Sequence, residues 1–119
     1  MQVRYTVGKN EYSRMKTQEL RDAFLMETLF PENAIELIYC EVERSIVGSA
    51  VPTTSELVLE AGKELAADYF CQRREVGVLN IGGKGSITVD GTDYDMANLD
   101  CLYIGRGSKA VSFKSEDAS

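Results

Sequence analysis

The pattern of apolar and polar positions changes character at Pro31. Residues 1–16 are polar and mixed and read as an extended arm. Residues 17–25 (TQELRDAFL) carry apolar Leu20 and Phe24 one helical turn apart, which predicts a short helix. Thr17 is its expected N-cap, and Gln18 and Glu19 suit the positive N-terminal end. Pro31 closes this region, because the residue before a proline disfavours the helical conformation. Beyond it the apolar positions fall into short β-type runs: 35–42, 45–51 (closed by Pro52), 57–59, then 68–73, 76–81, 85–90, 92–96, 100–104 and 109–114. Residues 61–65 read as a turn or one helical turn, and 115–119 as a polar end. Asp90-Gly91 between two alternating segments is a hairpin signal, since both residues tolerate positive φ. Short strands at this spacing indicate an all-β sandwich or barrel with a short N-terminal helix. The expected organisation is an arm and helix over 1–30 and a β domain over 31–119, together one domain, which suits 119 residues.

Charge narrows the choice of partner. Net charge is −6, so a nucleic acid or an anionic membrane, either of which needs a basic face, is not an expected partner. A small anionic ligand remains compatible, because one or two arginines can outweigh the global sign locally. No apolar run approaches the ~18–20 residues that a membrane-spanning helix needs, and the polar N-terminus has no signal-peptide core, so a cytoplasmic location is expected. The chain has no histidine, which removes every His-based general base, metal site and catalytic triad from it. Cys40, Cys71 and Cys101 lack paired spacing and read as buried thiols in a reducing compartment.

One constellation carries more. Gly62, Asp68, Phe70, Glu75 and Gly82 follow the spacing of the first cupin motif, with Asp68 and Phe70 where two histidines would stand. Residues 105–110 (GRGSKA) follow the second motif, with Gly107 kept and Ala110 at its histidine position. Ligands at i and i+2 on one strand share a face, and a carboxylate with a further histidine completes such a metal site. Here only Glu75 remains of the four, so no metal ligand and no catalytic residue is assigned. Asp68 and Glu75 are expected to sit near a rim or to pair with Arg73, Arg74 or Arg106. Arg73 and Arg74, if on a strand, face opposite sides. Gly82-Gly83-Lys84-Gly85 lacks the ending of a phosphate loop and reads as a turn between strands.

The run 69–83 (YFCQRREVGVLNIGG) followed by 85–91 (GSITVDG) resembles the 5-keto-4-deoxyuronate isomerases, also called 4-deoxy-L-threo-5-hexosulose-uronate ketol-isomerases. Residues 17–21 (TQELR), 46–48 (IVG) and 100–107 (DCLYIGRG) are similar as well, so the resemblance covers nearly the whole chain. It implies a cupin-like (RmlC-like jelly-roll) β-barrel or sandwich. It also implies a cytoplasmic step of pectin and uronate breakdown, the conversion of 5-dehydro-4-deoxy-D-glucuronate to 3-deoxy-D-glycero-2,5-hexodiulosonate. The family is zinc-containing and oligomeric, with a hexamer expected, and has two cupin-like halves per chain. The match is to the N-terminal half. Zinc, bound by histidines and a glutamate, is expected in the C-terminal half, and no ligand carries over to this sequence. The implied role is a scaffold or interface domain, inactive alone, whose partner is the C-terminal half. The alternative is an independent uronate- or sugar-binding module. Arg73, Glu75, Asp68 and Tyr103 are the candidate substrate contacts.

Overall fold

The computed structural model describes residues 1–117. The expected polar end at 115–119 therefore lies partly outside the described residues, and Ser115 itself closes a strand. The described chain is mostly β, in three small sheets with short helices, and it divides into two compact units.

The first unit comprises residues 1–31 and 36–49. The arm is more ordered than its polarity predicts. Strand β1 (Gln2–Arg4) runs parallel to β2 (Ile35–Cys40), pairing Val3 with Tyr39, and helix α1 (Lys9–Tyr12) follows it. Helix α2 spans Thr17–Phe24, with Lys16 rather than Thr17 as N-cap. The Glu19 carboxylate reaches back to accept the Lys16 amide at 2.7 Å, so the residue before Thr17 is the half-in position. Gln18 donates to Asp22 at 2.8 Å across one turn. Strand β3 (Ser45–Ala50) joins β2 after a short 3₁₀ turn at Glu41–Glu43, giving the sheet order β1-β2-β3. The backbones approach so closely at Gly48 that a Cβ would lie 2.4 Å from the Glu36 carbonyl oxygen, which only glycine allows.

The second unit comprises residues 32–35 and the described residues from 50 onward. Its four-stranded sheet has the order β4 (Leu57–Val58), β9 (Val111–Ser115), β6 (Gly85–Val89), β7 (Thr92–Met96). The Asp90-Gly91 hairpin forms as expected: Val89 faces Thr92, and both turn residues have positive φ, 47° and 84°. A second sheet pairs β5 (Val76–Leu79) antiparallel with β8 (Cys101–Ile104). Alternation sorts their side chains, with Val76, Val78, Leu102 and Ile104 on the inner face and Gly77, Leu79, Cys101 and Tyr103 outside. The core of this unit is built from Leu59, Leu65, Phe70, Cys71, Ile87, Met96, Ile104 and Val111.

The 68–73 segment departs from its expected strand. Phe70–Gln72 is a 3₁₀ turn instead. Gln72 closes it from both ends: its Oε1 accepts the Asp68 amide at 2.9 Å, and its Nε2 donates to the Asp68 carboxylate at 3.1 Å. Such local side-chain bonds offer the backbone an alternative to a sheet ladder. Residues 61–65 do form a single 3₁₀ turn, at Lys63–Leu65. Of the three cysteines only Cys71 is buried; Cys40 is half-buried and Cys101 is exposed, because position 101 falls on the outer face of β8. Burial pushes the Cys71 thiol up. Among the described residues no helix is long and apolar enough to cross a membrane.

Candidate functional site

Two turns of the second unit meet at the end of the β5-β8 sheet. The first is 70–75, which leaves the 3₁₀ turn and enters β5 at Val76. The second is 105–108, which leaves β8 at Ile104, the residue paired with Val76. The register alone therefore places Glu75 and Gly105 at the same end of the sheet. The turns are also tied directly, since the Gly107 amide donates to the Cys71 carbonyl at 2.8 Å. Gly107 has φ of +98°, a conformation suited to glycine, and the Ser108 hydroxyl closes the same turn on the Gly105 carbonyl at 2.9 Å.

Between them lies an open cavity of about 520 Å³ lined by Arg73, Arg74, Glu75 and Arg106. Because residues 73 and 74 are not on a strand, strict alternation does not separate them, and both arginines line this one space. This corrects the expectation of opposite faces. The half-buried Arg74 guanidinium lies 5.8 Å from the centre of the buried Phe70 ring, a cation–π contact. Among the described residues, no carboxylate lies within ion-pair distance of Arg73, Arg74 or Arg106. The expected pairing of Asp68 and Glu75 with arginines is thus replaced: Asp68 bonds to Gln72, and Glu75 accepts the Tyr103 hydroxyl at 2.6 Å.

Of the four candidate contacts, Arg73 and Glu75 line the cavity, Tyr103 reaches it through Glu75, and Asp68 does not line it. Arg74 and Arg106 join the set. Their signal in the sequence was the resemblance of both turns to the same family; a strand over 68–73 would separate Arg74 from Arg73, and only the Val76–Ile104 register brings Arg106 to them.

The Glu75 carboxylate raises the Tyr103 hydroxyl above the usual tyrosine range, first by accepting its hydrogen bond. The neutral phenol is the favoured form, so the bond persists below tyrosine's ordinary titration and is lost as pH rises past the folded value. Following phenolate absorbance against pH should show one late-titrating tyrosine, and Glu75→Gln should bring it back towards the ordinary range. An unchanged titration in that variant would refute the pairing.

The vacant motif positions do not suit zinc. Phe70 and Ala110 carry no donor atom, Asp68 is engaged by Gln72, and Glu75 by Tyr103. Phe70 and Asp68 do not share a strand face, since the segment is not a strand. Ala110 belongs to a different feature: its amide and that of Lys109 donate to the Asp90 carboxylate at 2.8 and 3.0 Å. Among the described residues no group of three or more Cys, Asp or Glu is placed to hold a metal ion. A second cavity, of about 260 Å³, is bordered by Glu56, Thr88, Ala110 and Ser112 and lacks a cationic group.

No family model matches the chain. Comparison with curated proteins is more informative. The chain is 49% identical over 117 residues to the 4-deoxy-L-threo-5-hexosulose-uronate ketol-isomerase of Shouchella clausii, covering 98% of the chain and 42% of that protein. It is 48% identical over 119 residues to the enzyme of the same name in Lachnospira eligens, and 49% identical over 119 residues to that in Lachnoclostridium phytofermentans, covering 42% and 43% of those proteins. The chain thus spans less than half the length of the curated relatives it matches. It is homologous along its whole length to part of the 4-deoxy-L-threo-5-hexosulose-uronate ketol-isomerases.

Proposed function

We propose that this chain is the N-terminal, cupin-like part of a cytoplasmic ketol-isomerase acting on a 4-deoxy-hexosulose uronate, and that it serves as scaffold and interface. The observation that carries this reading is identity of 48–49% along the whole chain to relatives bearing that name. The conversion it serves is that of 5-dehydro-4-deoxy-D-glucuronate to 3-deoxy-D-glycero-2,5-hexodiulosonate. A ketol-isomerisation moves hydrogen between adjacent carbons, which takes a base and a group that polarises the carbonyl. The zinc of the family and the base belong to the C-terminal cupin half, since the motif positions here hold Phe70 and Ala110.

The outer face of the β5-β8 sheet supports an interface role. Leu79 and Tyr103 stand on it exposed, and Ile81 and Leu99 extend the strip beyond the strand ends. Apolar surface of this kind marks a docking face. The C-terminal half is the partner proposed, within a homo-oligomer, a hexamer in the complete enzyme.

A coupled isomerase assay tests the reading. The 119-residue chain alone should give no turnover above background, and joining it to the remaining length of a relative should give an active enzyme. Chelator-sensitive turnover by the chain alone would overturn the division of labour. The alternative, a free-standing uronate-binding module, is favoured by the arginine-lined cavity. It predicts that the chain binds a uronate on its own, measurable by calorimetry, which a pure scaffold would not do.

A further inference from the structure

We infer that the cavity between the 70–75 and 105–108 turns binds a small phosphate monoester as its dianion, held by Arg73, Arg74 and Arg106. Three guanidiniums and the Glu75 carboxylate line that space, which leaves two positive charges uncompensated in a chain whose net charge is −6. Gathering like charges is unfavourable unless an anion joins them, and among the described residues no ion-pair partner does so. A phosphate monoester carries a charge of about −1.5 to −2 at neutral pH, which matches that excess. A carboxylate or a sulfate ester, with a single charge, leaves half of it standing. The planar fork of arginine suits the phosphate oxygens through paired N–H···O bonds.

The cationic groups are also held in place. Arg74 lies over the buried Phe70 ring, and Arg106 rides on a turn whose Gly107 amide is bonded to Cys71. The site is therefore partly formed before a ligand arrives, which lowers the entropy lost on binding. Glu75 limits the site to one phosphate. Its carboxylate, held by the Tyr103 hydroxyl at 2.6 Å, lines the same space and repels a further anionic group. A nucleic acid or an anionic lipid surface would also meet the net negative charge of the chain, so a small free ester is the favoured source. The cavity, about 520 Å³ and open to solvent, leaves room for the alcohol part of such an ester.

The ligand class follows from charge and donor geometry and does not depend on the isomerase reading. Calorimetric titration of the 119-residue chain at low salt tests it with methyl phosphate, methyl sulfate and D-galacturonate. Methyl sulfate has the shape of methyl phosphate but one charge only. Methyl phosphate should bind with Kd on the order of 1 mM, as an open site of a few polar contacts allows. The two singly charged probes should bind about tenfold more weakly or worse. Methyl phosphate binding should strengthen between about pH 5.5 and 7.5 as the ester loses its second proton near pH ~6, and methyl sulfate binding should not. Histidine, the side chain that ordinarily titrates in that range, is absent from the chain. Arg106→Ala and Arg73→Ala should each weaken methyl phosphate about tenfold, roughly the loss of one charge-assisted bond pair. Lys114→Ala, in β9 and outside the cavity lining, should leave it unchanged. Both arginines are exposed, and an unchanged Tm in either variant confirms that the fold persists. The site is refuted if methyl phosphate does not bind, if methyl sulfate binds as tightly, if both arginine variants bind like the parent, or if Lys114→Ala weakens binding as much as they do. Galacturonate binding as tightly as methyl phosphate would overturn it in favour of the uronate-binding module.

Discussion

Phe70→Ala is expected to destabilise the second unit by about 3–5 kcal/mol, the range for removing a buried aromatic ring. The ring is 6% exposed and sits at the start of the 3₁₀ turn that shapes the candidate site. Thermal unfolding should show Tm lowered by about 10 °C or more. Stability and site geometry are coupled at this residue, since the face of the same ring lies under Arg74. Phe70→Leu separates the two effects. It retains most of the apolar volume, so the cost should drop to about 1–1.5 kcal/mol, while the cation–π contact, about 0.5–1 kcal/mol at such a site, is lost. The leucine variant should therefore fold, with Tm lowered by several degrees rather than by about 10 °C or more. A Phe70→Ala protein that melts within about 2 °C of the parent would mean that the ring is not part of the core.

The second large effect is expected at Asn80, in the turn between β5 and β6. Its side-chain amide nitrogen donates to the carbonyls of Gly83, Met96 and Ala97 at 2.8, 3.0 and 3.1 Å, and its Oδ1 accepts the Gly82 amide at 3.0 Å. Its backbone is engaged too: the amide donates to Asp100 O at 2.9 Å, and the carbonyl accepts from Leu99, a residue held at φ 68°. One side chain thus joins the 80–83 turn to the 96–100 turn. Asn80→Ala removes all the side-chain bonds and should cost about 2–3 kcal/mol, below their nominal sum because water reaches this edge of the sheet. Asn80→Asp should be worse at neutral pH, since a carboxylate would face three carbonyl oxygens with no proton to give. That variant should regain stability in acid as the carboxyl becomes protonated, whereas the alanine variant should show no such recovery. Urea unfolding of both variants at neutral and acidic pH checks this, and parallel pH behaviour of the two would refute the assigned network.

The sequence resemblance and this network meet in one stretch. The NIGG segment, residues 80–83, is distinctive in the sequence, and its asparagine is the centre of the turn. Reading 82–85 as a turn between strands was sound because glycine runs are local signals and no helix follows them. The Asp90-Gly91 hairpin was legible for the same reason, as positive φ is a property of the residue and not of its surroundings. Strand β7 matched its expected span residue for residue at Thr92–Met96.

The failures share a cause as well. Tyr69-Phe70-Cys71 is apolar and β-prone, so periodicity predicts a strand. Nothing in that pattern shows that Gln72 returns to Asp68 and closes a 3₁₀ turn. A strand would separate Arg73 from Arg74, whereas the turn lets both line one space. Thr17 was displaced as N-cap by an equally local event, the return of Glu19 to Lys16. The pairing of the arm is another matter: β1 is a parallel partner of a strand more than thirty residues away, and such pairing leaves no local trace.

The sequence by itself determined the β-rich character, the turns set by glycine and asparagine, the absence of histidine chemistry and the kinship to the uronate isomerases. These follow from residue type and order, which a linear pattern preserves. Only the tertiary structure decided which charges share a space. Arg106 comes beside Arg73 and Arg74 because Val76 pairs with Ile104 and Gly107 bonds to Cys71. Strand register and a cross-turn hydrogen bond join residues about thirty positions apart, and no spacing along the chain encodes that proximity.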